Sequence, residues 1–162
     1  MVAWIMAKTK SAENNENVVC RNRKARHKYT VLETLETGLV LQGSEVKSLR
    51  NGKASIEEAY VRVDGAEVWL VGSDIPIYPQ ASRQNHDPKR RRKLLLHRRE
   101  IAKFAGSASQ RGFTLIPLKL YFHRGRAKLL IAVAQGRKTV DKREAMKKQD
   151  ARREMERSVR RQ

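Results

Sequence analysis

Phe113–Val133 reads FTLIPLKLYFHRGRAKLLIAV, and its period decides the fold. Leu118, Leu120 and Phe122 alternate with Lys119, Tyr121 and His123. That two-residue period belongs to a strand with one face in a core and the other wet. Arg124-Gly125-Arg126 turns the chain, and Ala127–Val133 returns against Phe113–Phe122 as the second arm of a hairpin. Pro117 cannot donate to a ladder, so it marks an edge or a bulge in the first arm. Asp64-Gly65 signals another hairpin, between Ala59–Val63 and Glu67–Val71. Tyr29–Leu35 and Gly38–Leu41 are rich in β-branched and apolar residues and break at Thr37-Gly38, with Glu36 at the break. Most connections are too short for parallel crossovers. The expectation is a mainly β fold: a small antiparallel six-stranded barrel of the oligonucleotide-binding type with about three short helices.

The helices are fewer and shorter. Gly43-Ser44 offers an N-cap for Glu45–Arg50, whose Val46 and Leu49 share a face, and Asn51-Gly52 ends it. Asn85–Ile101, NHDPKRRRKLLLHRREI, predicts a helix that starts at Asp87-Pro88 and runs to about Ala105. Leu94 and Ile101 would then share a buried side. Lys89, Arg90, Arg91, Arg92 and Lys93 follow one another without a break, and such adjacent cations cannot all face a core. Most of that turn must meet water or a polyanion. Three successive helical positions, Leu94 to Leu96, span about 200°. Either Leu95 or Leu96 is partly exposed, or the core is broad. Ser107 and Gln110 fit a capping box for one further turn, closed by Gly112.

The 162 residues hold 36 Lys+Arg against 17 Asp+Glu, a net charge of +19. Such an excess speaks of partners rather than fold, and nucleic acid is the first candidate. A membrane surface would want a basic helix with a strong Trp/Phe/Leu face, and none is seen. Cys20 stands alone, so there is neither a disulfide framework nor a CxxC pair. The opening MVAWIMA is followed rather than preceded by its lysines, the wrong order for a secretory signal, and Met6 is as natural a start as Met1. The expectation is a soluble cytoplasmic protein.

Residues 1–20 are polar and patternless after Met6 and read as a disordered extension before a barrel over 21–136. Asn22–Lys28, NRKARHK, is a basic arm just before the first strand, either solvated or turned to a polyanion. Residues 137–162 carry 11 Lys+Arg and 5 Asp+Glu and no aromatic residue. Ala151, Met155 and Val159 recur at helical spacing, a stripe too thin to dock firmly. An isolated helix of this length is marginal in water. The tail is expected to be disordered when free and helical when bound.

No catalytic constellation emerges. His27, His86, His97 and His123 are scattered without HxxxH or HExxH spacing, and Glu57-Glu58 is no carboxylate dyad in an extended segment. GxxxxGK[ST] and GxGxxG are absent. The reading is a non-enzymatic binder with no metal and no cofactor. Stacking or apolar contact would add selectivity to charge, from Tyr78, His86 or an exposed leucine of the triplet. Glu36 is either a structural partner of a cation or an acceptor for a base edge.

Several segments together resemble the small protein B family, the tmRNA-binding proteins of bacterial trans-translation. They are NRKARH (Asn22–His27), Glu36-Thr37-Gly38, GSEVKSLR (Gly43–Arg50), GKA (Gly52–Ala54), Ala59-Tyr60-Val61, DPKRRRKLLL (Asp87–Leu96) and DKR (Asp141–Arg143), in order over about residues 21–145. The resemblance implies a barrel that binds the tRNA-like domain of tmRNA and delivers it to stalled ribosomes. There it stands in for an anticodon arm, with the tail in the empty mRNA channel. Alanyl-tRNA synthetase and elongation factor Tu would be indirect partners through tmRNA. The implied tmRNA contacts are Asn22, Arg23, Lys24, Arg26, Glu36, Leu95 and Lys128, beside the cations Lys89, Arg90, Arg91 and Arg92. The implied ribosome contacts near the decoding centre are Gly136, Arg137, Lys138, Val140, Asp141, Lys142 and Arg143. Val140 stands where the family usually has a His or another ring, and offers apolar contact where a ring would stack. Composition alone also allows a ribosomal or ribosome-assembly protein with such a barrel.

Overall fold

The computed structural model describes residues 16–81, 85–137 and 155. Its elements are β1 (Glu16–Arg21), α1 (Ala25–Lys28), β2 (Tyr29–Leu39), α2 (Gly43–Arg50), β3 (Tyr60–Asp64), β4 (Glu67–Val71), β5 (Arg92–Leu95), α3 (Arg98–Ser109), β6 (Phe113–His123) and β7 (Arg126–Gly136). The strands run in the order β1-β6-β3-β4-β5-β2-β7, and β6 also pairs with β7. That last pairing closes β6-β3-β4-β5-β2-β7 into a ring, every pair antiparallel. β1 lies outside the ring, against β6.

The β6–β7 hairpin carries the barrel, but the expected alternation holds only in part. Leu120 and Phe122 enter the main core, whereas Leu118, at the bulge, packs with Ala25 and Ile116, and Tyr121 is buried as well. Arg124 and Gly125 both take positive φ, 48° and 74°, the tight-turn geometry whose twist matches the flanking strands. Pro117 is buried inside β6, and the register with β7 shifts between Pro117 and Lys119, so it sits at a bulge rather than an edge. Leu70, Leu94, Leu115, Leu120, Leu129 and Ile131 fill the interior, with Leu49 of α2 and Phe104 of α3 packed among them. A smaller cluster of Ala25, Ile116, Ala132 and Ala134 lies under α1.

Several expectations are corrected. The basic stretch is no helix: Asp87-Pro88 opens a turn, in which Asp87 accepts from the backbone N–H of Lys89 (3.0 Å) and of Arg90 (3.2 Å). The chain then extends as β5, and α3 begins only at Arg98, capped by the reciprocal pair His97 and Glu100. The reason is period: Arg92 and Leu94 point in while Leu95 is exposed, and Glu45 of α2 waits inside for Arg92. The strand count of the ring therefore holds by a different route, because the two expected strands over residues 29–41 are one, β2. Thr37 does not break it, since its hydroxyl donates to the Leu129 carbonyl at 3.2 Å. The boundary of a disordered extension at residue 20 falls inside β1, which finds partners along β6 from Lys119 to His123. Ser107 starts no new turn: α3 continues through Ser109, and the Ser107 hydroxyl donates to the Lys103 carbonyl. Likewise α2 is capped by Gln42 rather than by Gly43-Ser44, with the Glu45 carboxylate accepting from the Gln42 N–H at 2.7 Å.

Candidate nucleic-acid interface

Where β2, β5 and β7 meet, the surface opens into a groove of about 610 Å³. Glu36 and Gly38 come from β2, Leu95 from the end of β5, His97 and Glu100 from the start of α3, and Lys128 from β7. The barrel register brings these distant segments together, since Gly38 pairs with both Leu95 and Lys128. Gly38 leaves Leu95 its room: a Cβ there would stand 3.4 Å from the Leu95 Cβ, at the close limit of ordinary contact. Leu95 lies over that glycine and stays 54% exposed, an apolar side chain held in solvent by its strand. Leu94 beside it is 2% exposed, so the leucine triplet divides by strand alternation.

Charge in the groove is organised by Tyr121, a residue that simple alternation assigns to a wet face. Its ring is buried instead, and its hydroxyl donates to Oε2 of Glu36. Lys128 Nζ stands 3.2 Å from Oε1 of the same carboxylate. Partial burial pushes the Glu36 carboxyl up, but Tyr121 and Lys128 outweigh it and hold the group below the usual carboxylate range. Glu36 is thus a fixed anion with free lone pairs beside an apolar leucine. A signal for Tyr121 does exist in the chain, because the Arg124-Gly125 turn sets it directly opposite Lys128.

The other predicted residues fall elsewhere. Asn22 is buried: its Nδ2 donates to the Ile56 and Pro117 carbonyls, both at 3.2 Å, and its Oδ1 accepts from the Ala25 N–H at 3.0 Å. It ties α1 to the barrel and is not placed to touch a partner. Arg23, Lys24 and Arg26 are exposed around it, Lys24 pairing with Glu57 at 2.7 Å. Arg92 is also corrected, with no exposed surface: its Nε donates to Glu45 at 2.9 Å and its Nη atoms to Ser73, Arg90 and Pro88 oxygens. Arg90 donates to Glu45 as well. Burial pushes the Glu45 carboxyl up, yet the hydrogen bonds from Arg90 and the Gln42 N–H, with the Arg92 charge, hold it below its usual range. Lys89 and Arg91 remain exposed. His86 is not free to stack, being buried between the Ser44 hydroxyl (3.0 Å) and the Ile75 carbonyl (2.8 Å).

The tail leaves from the far end of the β2–β7 ladder. Gly136 pairs with Tyr29, and Arg137 donates from its N–H to the Lys28 carbonyl at 3.0 Å and from Nε to the Thr30 hydroxyl at 3.3 Å. Tyr29 and Glu36 are separated on one strand by about 23 Å at the usual rise. The root of the tail and the basic arm therefore share one end of the barrel, and the groove occupies the other. Lys138, Val140, Asp141, Lys142 and Arg143, with Ala151 and Val159 of the expected helical stripe, lie outside the described residues. Among the described residues no group of acids, histidines or cysteines could hold a metal, and no helix is long and apolar enough to cross a membrane.

A family model described as SmpB protein matches residues 19–161. The chain belongs to the SmpB family. A relative named SsrA-binding protein from Mesorhizobium japonicum is 54% identical over 92% of this chain and 94% of its own. One of the same name from Nitrobacter hamburgensis is 56% identical over 92% of this chain and 98% of its own. A solved structure called "tmRNA-SmpB: a journey to the center of the bacterial ribosome" contains a chain 46% identical, with a TM-score of 0.64. That match covers 74% of this chain and 85% of the other. The residues matched by the SmpB family model include those of the groove and of the basic arm.

Proposed function

We propose that this chain binds tmRNA and brings it to stalled ribosomes for trans-translation. The observation that carries the reading is the convergence of Glu36, Leu95 and Lys128, from three distant segments, on one open groove. Leu95 offers an apolar surface to unpaired bases of the tRNA-like domain, and Glu36 accepts from base or ribose donors. Lys128, Lys89 and Arg91 neutralise phosphates, while Arg90 and Arg92 support the strand that presents Leu95. Arg23, Lys24 and Arg26 form a separate basic surface beside the root of the tail, with Asn22 as its anchor.

The barrel stands in for an anticodon arm, and the tail, from Gly136 and Arg137 through Lys138, Val140, Asp141, Lys142 and Arg143, follows the empty mRNA channel from the decoding centre. Domain boundaries near 21 and 136 go with that division. The protein acts without catalysis or cofactor in the cytoplasm. Alanyl-tRNA synthetase and elongation factor Tu join through tmRNA.

Sequencing of RNA that co-purifies from the protein's own cells, washed at about 0.3 M salt to strip loosely held polyanions, tests the partner. Strong enrichment of tmRNA is expected, and a spread across ribosomal RNA would overturn the reading in favour of a ribosomal or assembly protein. Truncation after Gly136 should leave tmRNA affinity intact and abolish tagging. Loss of both would end the division between barrel and tail.

A further inference from the structure

The outer face of β3–β4–β5 carries a strip of side chains that the barrel does not use. Arg62 of β3 pairs with Trp69 of β4, and Trp69 pairs with Lys93 of β5. Directly paired residues share a face, so these three side chains stand in one row on the outside. Arg91, two residues before Lys93 on the same face, lies with its guanidinium carbon 4.7 Å from the Trp69 ring centre. Leu95, two residues after Lys93, is the exposed leucine of the groove. The strip therefore runs into the groove without an intervening element.

Its chemistry is specific. An arginine laid against an indole is held by the ring, which leaves the N–H edges of its fork free for a planar, bidentate acceptor. Among the described residues Arg62 and Arg91 have no carboxylate partner within ion-pair distance, although Lys93 pairs with Glu67. Arg90 and Arg92, the neighbours of Arg91, spend their charge on Glu45. Two guanidinium groups without a carboxylate, one of them oriented by an aromatic shelf, match phosphodiester oxygens.

We propose that the Arg62–Trp69–Arg91 strip is a second contact for the same RNA that fills the groove, gripping the backbone of the strand as it leaves Leu95. Arg62 and Arg91 contact phosphates, and Trp69 is a positioning residue that holds Arg91. This rests on the groove reading for its partner and goes beyond it in adding Arg62 and in assigning Trp69 as the residue that orients Arg91. It also explains why the charged run alternates: Arg90 and Arg92 hold the fold, while the exposed Lys89 and Arg91 face the ligand.

The test is the salt dependence of full-length protein binding to the tRNA-like domain of tmRNA. Removing one cation that neutralises a phosphate should reduce the slope of log Kd against log salt by about 0.7–0.9. R91Q and R62Q are each expected to lose one such step. W69A should reproduce the R91Q loss, the W69A/R91Q pair should lose no more than R91Q alone, and W69F should keep the wild-type slope. A merely structural tryptophan would change the melting temperature and not the slope. Leu95→Ala is measured alongside. Wild-type slopes for R91Q and R62Q with weakened binding for Leu95→Ala would sink the strip and leave the groove standing. Reduced slopes with undiminished binding for Leu95→Ala would keep the strip and sink the groove, and no effect from any variant would sink both.

Discussion

Arg92 and Leu95 occupy the two ends of the four-residue strand β5, and their surroundings are opposite. The arginine has no exposed surface and the leucine is 54% exposed. At one end Glu45, carried in on α2, supplies the anion that makes burial of a guanidinium tolerable. At the other, Gly38 gives a shelf with no side chain, and the leucine laid over it stays open to solvent. A basic run followed by leucines thus does two jobs by strand alternation. Inward cations build the frame that fixes the strand, and the outward side chains are left for a partner. Counting charges along the run would credit the partner with all of them.

The frame should show the largest effect. Removing one member of a buried ion pair leaves the other charge uncompensated, at a cost of about 3–5 kcal/mol. Glu45→Gln leaves the buried Arg92 without its anion and should lower unfolding stability by that order in urea titrations, and Arg92→Ala should cost less because Arg90 still pairs with Glu45. Unchanged stability would put Arg92 on the same footing as Leu95 and dissolve the contrast. The acid arm sharpens it. The folded-state pKa of Glu45 is lowered, so its contribution is fully present above the ordinary carboxylate pKa, about 4.3, and is lost as pH falls through the folded value. The wild type should lose stability in that acid window, and Glu45→Gln should lose less there because it has no carboxylate to protonate.

Asn22 makes the same contrast inside the basic arm. Asn22→Ala strands the Ala25 N–H and two carbonyls in the interior, at a cost of about 1–3 kcal/mol. Arg23→Ala, one residue on and exposed, should change stability by less than about 0.5 kcal/mol. Equal, small effects in thermal melts would mean that Asn22 faces a partner rather than the barrel.

Leu95→Ala should leave stability within about 0.5 kcal/mol while weakening binding to the tRNA-like domain about tenfold, or 1.4 kcal/mol. A loss of roughly 2–5 kcal/mol in unfolding would make it a core leucine instead. Calorimetry on one preparation with and without RNA reads both quantities.

How much of this can be read from the chain depends on whether a pattern has one solution. The β6–β7 hairpin largely does, because two apolar, β-rich runs on either side of the turn at Arg124-Gly125 leave little choice of register beyond the bulge at Pro117. Arg90–Leu96 does not: cations beside leucines fit an amphipathic helix as well as an alternating strand. The deciding partner, Glu45, lies 47 residues from Arg92. Asn22 and Arg92 mislead for one shared reason. Polar side chains look like surface until the carbonyls and carboxylates that receive them are placed by the fold. Glu36, Leu95 and Lys128 come to attention by resemblance, and the barrel supplies the register that makes them neighbours.

The smallest effect expected concerns the groove itself, where Tyr121 separates position from contact. Its ring is buried beneath Lys119, and its hydroxyl reaches Glu36 at the groove wall. Tyr121→Phe removes one donor and keeps the packing, so stability should fall by no more than about 1 kcal/mol. The hydrogen bond favours the ionised carboxylate, so its loss must raise the Glu36 pKa, with burial acting in the same direction. A carboxyl titration followed by nuclear magnetic resonance should show that rise, with Lys128 still opposing it. RNA affinity at neutral pH should drop only severalfold, because Glu36 stays charged but less well held. If Glu36→Gln proved no worse than Tyr121→Phe, the ionised carboxylate would be a brace for Lys128. If Glu36→Gln were far worse, the carboxylate itself would meet the RNA, and the groove would differ from the Arg92 frame in the one respect that matters: its anion would be spent on the partner.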